Sequence, residues 1–492
     1  MEQIVNKKKF FNETGFVLIA RSLAKLKGFI IFPIIVKLFG TQTYGIWAQI
    51  LAIIGFATPM ALIGINVAIK RFLSTEKNID NIAKKFWAIF YFSIITSIFI
   101  ILILYILSDY LALYLFHMPG ISSTLLLAAA IIPLNAINII FSDVFLAFNK
   151  VKKWIFINSL RDIIEIVLIL IILYIAIENV IIFLIIITIA SLFLTNIIAF
   201  ILSYKTIPLK KPNFSNIKLH LTVGLPLFLS GLTYTFIHIG DRYIIGYYKD
   251  IAQVGIYAGI YTFATVAFLG ISEAIFITLL PTLSKFWEKN KIKEASFYTS
   301  YLLKYYFILG IPMVFGLTAV SKNLLLVLSN QDFIEFWYIM PIIAFGIFIF
   351  QGFGISDYVF ILTKKTIIVF YLTLVAVMEN IILNIILIPI MGILGAAIAS
   401  LVTYLTYSVI IFILARKKMK ITLHTNSILK SLFASILMYI VLYIFNFTGI
   451  IGLILSIIAG IVIYLLVFFI LNLNNLKEIT NSLNFIKNKL KL

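Results

Sequence analysis

The sequence predicts an all-α polytopic membrane protein of about fourteen spans, and three observations carry that prediction. Of the 492 residues 63% are hydrophobic and 12% charged, whereas a soluble domain is about a quarter charged. Apolar runs recur from end to end, each near the roughly 20 residues that cross a hydrocarbon layer as a helix. Cations gather in alternate loops, the pattern of cytoplasmic connections. The short alternating segments of a β-barrel are missing.

The elements follow from that punctuation. Lys7, Lys8 and Lys9 precede the first run with no small-residue cleavage site after it, so the first span, 12–39, reads as retained and its N-terminus as cytoplasmic. The cation-poor turn 40–43 leads into span 44–70, which ends at Lys70, Arg71, Lys77, Lys84 and Lys85. Spans 86–108 and 121–148 flank an outer turn and deliver the chain to Lys150, Lys152 and Lys153. Spans 154–177, 180–204 and 219–248 follow, with Lys205, Lys210, Lys211 and Lys218 on the inner side. Spans 254–284, 297–321, 334–363, 366–389 and 394–415 repeat the alternation past Lys285 to Lys293, Lys364 with Lys365, and the run 416–420. Spans 428–446 and 450–472 complete the set. Residues 474–492 place Leu476, Ile479, Leu483, Ile486 and Leu490 at three- and four-residue steps among lysines, an amphipathic basic tail on the anionic cytoplasmic leaflet. The net charge of +20 is thereby explained by topology without nucleic acid.

An internal repeat joins Tyr44-Gly45-Ile46-Trp47-Ala48 to Val254-Gly255-Ile256-Tyr257-Ala258, and Ile189-Ala190-Ser191 to Ile398-Ala399-Ser400, at offsets of 210 and 209 residues. Six spans per repeat make the repeats parallel, which predicts two pseudo-symmetric six-helix lobes about an axis along the membrane normal. The divisions are an N-lobe at 1–210, a C-lobe at 211–420, spans thirteen and fourteen at 421–473, and the tail.

Charges inside spans cost about 2.5–3.5 kcal/mol each at a helix centre and usually face a cavity. Arg21, Lys25 and Lys37 of span one, Arg242 of span seven and Lys304 of span nine are the cationic-cleft candidates. Lys27 lies about 200° around the helix from Lys25, so Arg21, Lys25 and Lys27 cannot all line one face of a regular helix; snorkelling toward the inner surface is the alternative for Arg21 and Lys25 and more so for Lys27. Asp241, Glu273, Asp143, Arg161 and Glu165 are the ion-coupling or charge-pair candidates, with Arg161 and Glu165, four apart, reading as an intrahelical pair. Asp357 and Glu379 are further lone acids. Prolines 59, 133, 226, 281, 312 and 341 each remove a backbone hydrogen bond within a span.

Gly240-Asp241-Arg242-Tyr243-Ile244-Ile245-Gly246, followed by Val254-Gly255-Ile256-Tyr257, resembles the span-seven-to-eight signature of the polysaccharide transporters, including Wzx-type O-antigen flippases, of the multidrug/oligosaccharidyl-lipid/polysaccharide superfamily. Gly40 with Tyr44-Gly45, Leu280-Pro281-Thr282-Leu283-Ser284 and the run 392–399 support it. The resemblance implies a MATE-like two-lobed bundle that flips a polyprenyl-pyrophosphate-linked oligosaccharide to the outer leaflet, with spans thirteen and fourteen helping to form a groove for its lipid tail. It also implies membrane lipids and polysaccharide-assembly proteins as partners. Asp241 and Arg242 fall directly on the motif. A multidrug or cation antiporter of the same superfamily would favour acidic cleft residues, and a membrane glycosyltransferase or polymerase would need acidic residues on a sizeable outer loop, where only Asp109 stands. A non-transporting scaffold for polysaccharide assembly is compatible with the same sequence. With no cysteine, no His/carboxylate spacing for a metal and no phosphate-binding Gly-rich loop, the reading is a transporter in the cytoplasmic membrane, neither enzyme nor ATPase, with no cofactor.

Overall fold

The computed structural model describes residues 7–472 except 70–72, 74, 75, 77, 149, 175–178, 205 and 446, with side chains described from Lys27 onward apart from a few helical positions such as Glu273. The tail at 474–492 lies outside the described residues. The described chain is helical with no strand, as a backbone that must satisfy its own polar groups in lipid requires. Helix α1 (Lys7–Leu62) carries both first spans, since the predicted turn contracts to a single break at Gly40 with φ 85° and ψ 172°, a conformation only glycine adopts without strain. It ends beyond Pro59 at Ile63 and Gly64, both with positive φ.

The short α2 (Ile65–Ala68) leads to α3 (Ile79–Leu115), capped by Asn78, whose side chain accepts from the amides of Asp80 and Asn81. The fourth span is broken: α4 (Ser122–Ala129) gives way at Ala130 to α5 (Ile131–Ala147), where Pro133 has no amide to continue the ladder. Then come α6 (Val151–Tyr174), α7 (Val180–Tyr204), α8 (Ile217–Tyr248), α9 (Ile251–Glu288) and α10 (Ile292–Leu328). The tenth span comprises α12 (Ile339–Phe353) and α13 (Asp357–Leu362), preceded by the single turn α11 (Gln331–Ile334). Helices α14 (Thr366–Met391), α15 (Ile393–Arg416), α16 (Thr425–Phe445) and α17 (Gly449–Asn472) finish the chain.

Helices stand at all fourteen predicted positions, and 11 helices among the described residues are long and apolar enough to cross a membrane. The difference lies in α1, which merges two spans, in α6, which carries charges, and in α8, whose first turns include positions outside the described side chains. Their outward faces are apolar, as on α17, where Ile451, Ile458, Leu465 and Phe469 are exposed.

Two compact units emerge: one runs to Val266 and resumes at Thr363–Tyr407, the other takes Ala267–Leu362 and the chain from Ser408. The core of the first packs Phe86, Trp87, Phe141 and Phe145 from α3 and α5 against Leu62, Ile65 and Ile157. At the α5–α6 connection Lys150 donates to Thr206 Oγ1 at 2.6 Å. Partial burial and the adjacent Lys153 ammonium hold Lys150 below the usual lysine range. In the second unit Met438, Leu442 and Tyr464 join α16 to α17, with Phe315 of α10 against them. There Asn323 staples the α16–α17 turn, donating to Phe447 O and Gly449 O at 3.1 and 3.2 Å and accepting from Gly449 N at 2.9 Å.

Candidate functional site

Helices α8, α9, α14 and α15 meet around Asp241, which is 1% exposed. Its Oδ1 accepts from Asn384 Nδ2 at 2.7 Å, and its Oδ2 accepts from Ser400 Oγ at 2.6 Å and Tyr257 OH at 2.5 Å. Three donors to one carboxylate are what a buried anion needs, since hydrogen bonds to a charged group are about twice as strong as neutral ones. Asn384 Nδ2 also donates to Asn380 Oδ1 at 2.9 Å. The carboxylate fixes the Asn384 amide with its nitrogen inward, which leaves Asn384 Oδ1 and Asn380 Nδ2 buried without a hydrogen-bond partner among the described residues. Acceptor oxygens beside a carboxylate are a setting for a cation or proton.

One turn along the same helices lies a second polar layer. His238 Nδ1 and Tyr261 OH are 2.8 Å apart, and Tyr261 OH and Tyr404 OH are 2.7 Å apart. His238 is three residues before Asp241, while Tyr261 and Tyr404 are each four beyond Tyr257 and Ser400, so helical spacing aligns the two layers.

Arg242 takes a different direction from Asp241, because consecutive helical residues lie about 100° apart. It is half-buried, its Nε is buried with no hydrogen-bond partner, and among the described residues no carboxylate pairs with it. The tyrosines within its electrostatic reach are Tyr44, Tyr243 and Tyr261. Asp241, engaged by Asn384, Ser400 and Tyr257, forms no ion pair with it.

A separate charge cluster forms between α1, α6 and α7. Lys27 Nζ lies 2.8 Å from Glu165 Oε2 and 3.4 Å from Asp162 Oδ1, both acids being buried. Thr188 Oγ1 donates to Glu165 Oε1 at 3.3 Å. This corrects two expectations. Glu165 pairs with Lys27 and not within its own helix, where Arg161 reaches Asp162 Oδ1 at 3.5 Å, and Lys27 is held between helices instead of snorkelling. The i,i+4 geometry permits the intrahelical pair, but a lysine on the facing helix offers Glu165 a closer partner.

The remaining predicted residues stand apart from these groups. Asp143 is buried and accepts from Asn66 Nδ2 at 3.3 Å. Lys304 sits 5.4 Å from the Tyr301 ring centroid, a cation–π contact. Lys37 is exposed three residues before the Gly40 break. The lone acid Glu379 accepts from Thr406 Oγ1 at 3.0 Å. The side chains of Arg21, Lys25 and Glu273 lie outside the described residues. Sequence reasoning did not single out His238, Tyr261, Asn380, Asn384, Ser400 and Tyr404 as functional. Their available signals were a histidine in mid-span and an i,i+4 pair of amides in an otherwise apolar helix.

Known proteins share this architecture. The solved lipid II flippase MurJ, in an inward closed conformation, superposes with a TM-score of 0.77 at 18% identity, covering 93% of this chain and 98% of that one. An inward-facing multidrug resistance MATE family transporter of the MOP superfamily gives 0.63 at 15% identity, over 82% and 94% of the two chains. The fold is thus the all-α MATE-like bundle expected from the sequence. In sequence, the chain is similar to a probable low-salt glycan biosynthesis flippase, Agl15 of Haloferax volcanii, at 25% identity over 209 residues. That match spans 41% of this chain and 43% of the relative, less than half of either. The family described as polysaccharide biosynthesis protein matches residues 10–287, more than half of the chain, and to that family the chain belongs.

Proposed function

We infer that this membrane protein is a flippase carrying a polyprenyl-(pyro)phosphate-linked oligosaccharide from the cytoplasmic to the outer leaflet by alternating access, in the assembly of a cell-surface glycan. The observation that carries the reading is Arg242, a cation in a membrane helix whose Nε is buried without a hydrogen-bond partner among the described residues, beside an aspartate engaged elsewhere. An uncancelled guanidinium at that depth calls for an anionic ligand, and its planar donors suit a phosphate. Family membership, the glycan flippase relative and the shared fold with a lipid II flippase support a lipid-linked saccharide as cargo. A cationic drug would meet repulsion at the same residue.

In this reading the lobes are 1–210 and 211–420, with the cleft cations Arg21, Lys25, Lys37 and Lys304 supplementing Arg242. Helices α16 and α17 hold the lipid tail, and the basic tail rests on the inner leaflet. Both termini are cytoplasmic, the membrane is the cytoplasmic one, and neighbouring polysaccharide-assembly proteins receive the product. Asp241, with the bare Asn384 oxygen beside it, carries the coupling ion. Glu273, Asp143, Arg161 and Glu165 serve as charge partners that respond to it. No bond is made or broken by the chain.

The test is a vesicle assay with a fluorescent short-chain prenyl-pyrophosphate disaccharide, quenched from outside. Arg242→Ala removes a charge-assisted contact of about 1.5–3 kcal/mol, roughly 10–100-fold in apparent affinity. Arg242→Lys retains part of it, and an Arg21→Ala/Lys25→Ala pair stops translocation without loss of folded protein. Undiminished flipping in Arg242→Ala and in the double variant would refute the cationic-cleft reading.

A further inference from the structure

The His238 layer has a property that a merely satisfied core histidine does not require: its contacts accommodate both protonation states. With Nδ1 unprotonated, Tyr261 OH donates to it and Tyr404 OH donates to Tyr261, at 2.8 and 2.7 Å. With Nδ1 protonated, every donor in the chain reverses. The imidazolium donates to Tyr261, Tyr261 donates to Tyr404, and Tyr404 donates to the carbonyl of Ile237 at 3.4 Å. Among the described residues His238 Nδ1, Tyr261 OH and Tyr404 OH each keep a partner in both states, so along this chain the proton comes and goes without the penalty of an orphaned buried donor or acceptor. His238 is half-buried while Tyr261 is 5% and Tyr404 0% exposed, so the imidazole is the accessible end of the chain.

Of the four histidines, His117, His220 and His424 lie near predicted span ends or in loops, and only His238 stands in mid-span. Imidazole is the side chain whose unperturbed titration falls between about pH 5 and 8. Among the described residues the groups facing it include Tyr261 from α9, Tyr404 from α15 and Tyr234 on α8 itself. Asp241 and Arg242 follow one turn along α8, Tyr44 of α1 is near Arg242, and Glu379 of α14 is engaged by Thr406.

We propose that His238 is a reversible proton-binding residue of this transporter, its charge borne by the Tyr261–Tyr404 pair and placed one helical turn from the Asp241 carboxylate. A proton there adds a positive charge beside the carboxylate and reverses the hydrogen bonds that link α8, α9 and α15, tying proton occupancy to the packing of those helices. Its role in a transport cycle rests on the flippase reading above; the proton binding itself does not.

The experiment is a pH titration of ring-labelled histidine signals by NMR, on the full chain in nanodiscs, with His238→Gln to identify the relevant signal. The expected result is a His238 signal that titrates between about pH 5 and 8. Its midpoint should fall in Tyr261→Phe, because the charge-assisted bond that the imidazolium loses is stronger than the neutral one that the imidazole loses. A signal that stays in one state across the range, or a midpoint unmoved in Tyr261→Phe, overturns the proposal. Should His238→Gln not fold, a variant keeping His238 as the sole histidine identifies the signal. In parallel, vesicle flipping of the fluorescent prenyl-pyrophosphate disaccharide should vary several-fold with pH in the native chain and lose that variation in His238→Gln. Titration with no flipping at any pH supports the proton site and counts against the flippase reading; titration with an unchanged flipping pH profile in His238→Gln supports the proton site and overturns its role in the transport cycle.

Discussion

Lys27 holds two buried carboxylates from a facing helix, and removing it leaves both without their lysine partner. Breaking such a pair from one side costs about 3–5 kcal/mol, because a buried charge loses its partner while its desolvation remains. Lys27→Met should therefore lower the unfolding temperature in detergent markedly. Adding Asp162→Asn and Glu165→Gln should recover most of the loss, since neutral amides need no counter-charge. A triple variant as unstable as the single one would mean that Lys27 acts through packing. Part of this site was legible in the sequence. Asp241 and Arg242 stood in a recognisable motif, but their opposite fates, one saturated and one bare, depend on α14 and α15, far away in the chain. Lys27 was misassigned because its angular conflict with Lys25 suggested escape to the surface, whereas α6 supplies acids on that side. The i,i+4 pair Asn380 and Asn384 carried a signal that becomes specific only once Asp241 is seen against it.

The two copies of the repeated motif meet each other. A Cβ on Gly255 would lie 2.7 Å from Thr41 O and 2.9 Å from Gly45 Cα, and Gly45 is the repeat mate of Gly255. Equivalent positions touch only where a local two-fold axis passes between them, so the glycines conserve space for two backbones at the predicted outer turns. A second close crossing joins Gly64 to Gly224, whose Cβ would fall 2.6 Å from Gly64 O. Gly255→Ala should cost about 1–3 kcal/mol by overpacking, read as a lower unfolding temperature, whereas Gly120→Ala, with open space at its Cβ, should cost far less. Equal effects would remove the steric account. All fourteen helical positions were legible because run length and loop charge are local signals. The interruptions were less so. Proline marked the break in the fourth span, but the near-continuity of α1 through Gly40 depends on a single backbone angle.

For the whole molecule, the question that composition leaves open is α6. It carries Lys152, Lys153, Arg161, Asp162 and Glu165, and it is not among the 11 helices apolar enough to cross by that measure. Yet its acids are buried against Lys27, and mutual neutralisation reduces the cost of charge in hydrocarbon. A crossing α6 puts the α6–α7 turn on the outer side, and an α6 lying on the inner surface puts it inside. The chain has no cysteine, so a single introduced one is labelled against no background. Gly120→Cys and Asn179→Cys, both at exposed positions, should react with an impermeant maleimide on intact cells. Lys211→Cys and Lys289→Cys, also exposed, should react only after permeabilisation. If Asn179→Cys is instead protected on intact cells while Gly120→Cys and both lysine positions react there, α6 does not cross. The parity of the spans then changes, and the inference that both termini are cytoplasmic fails with it.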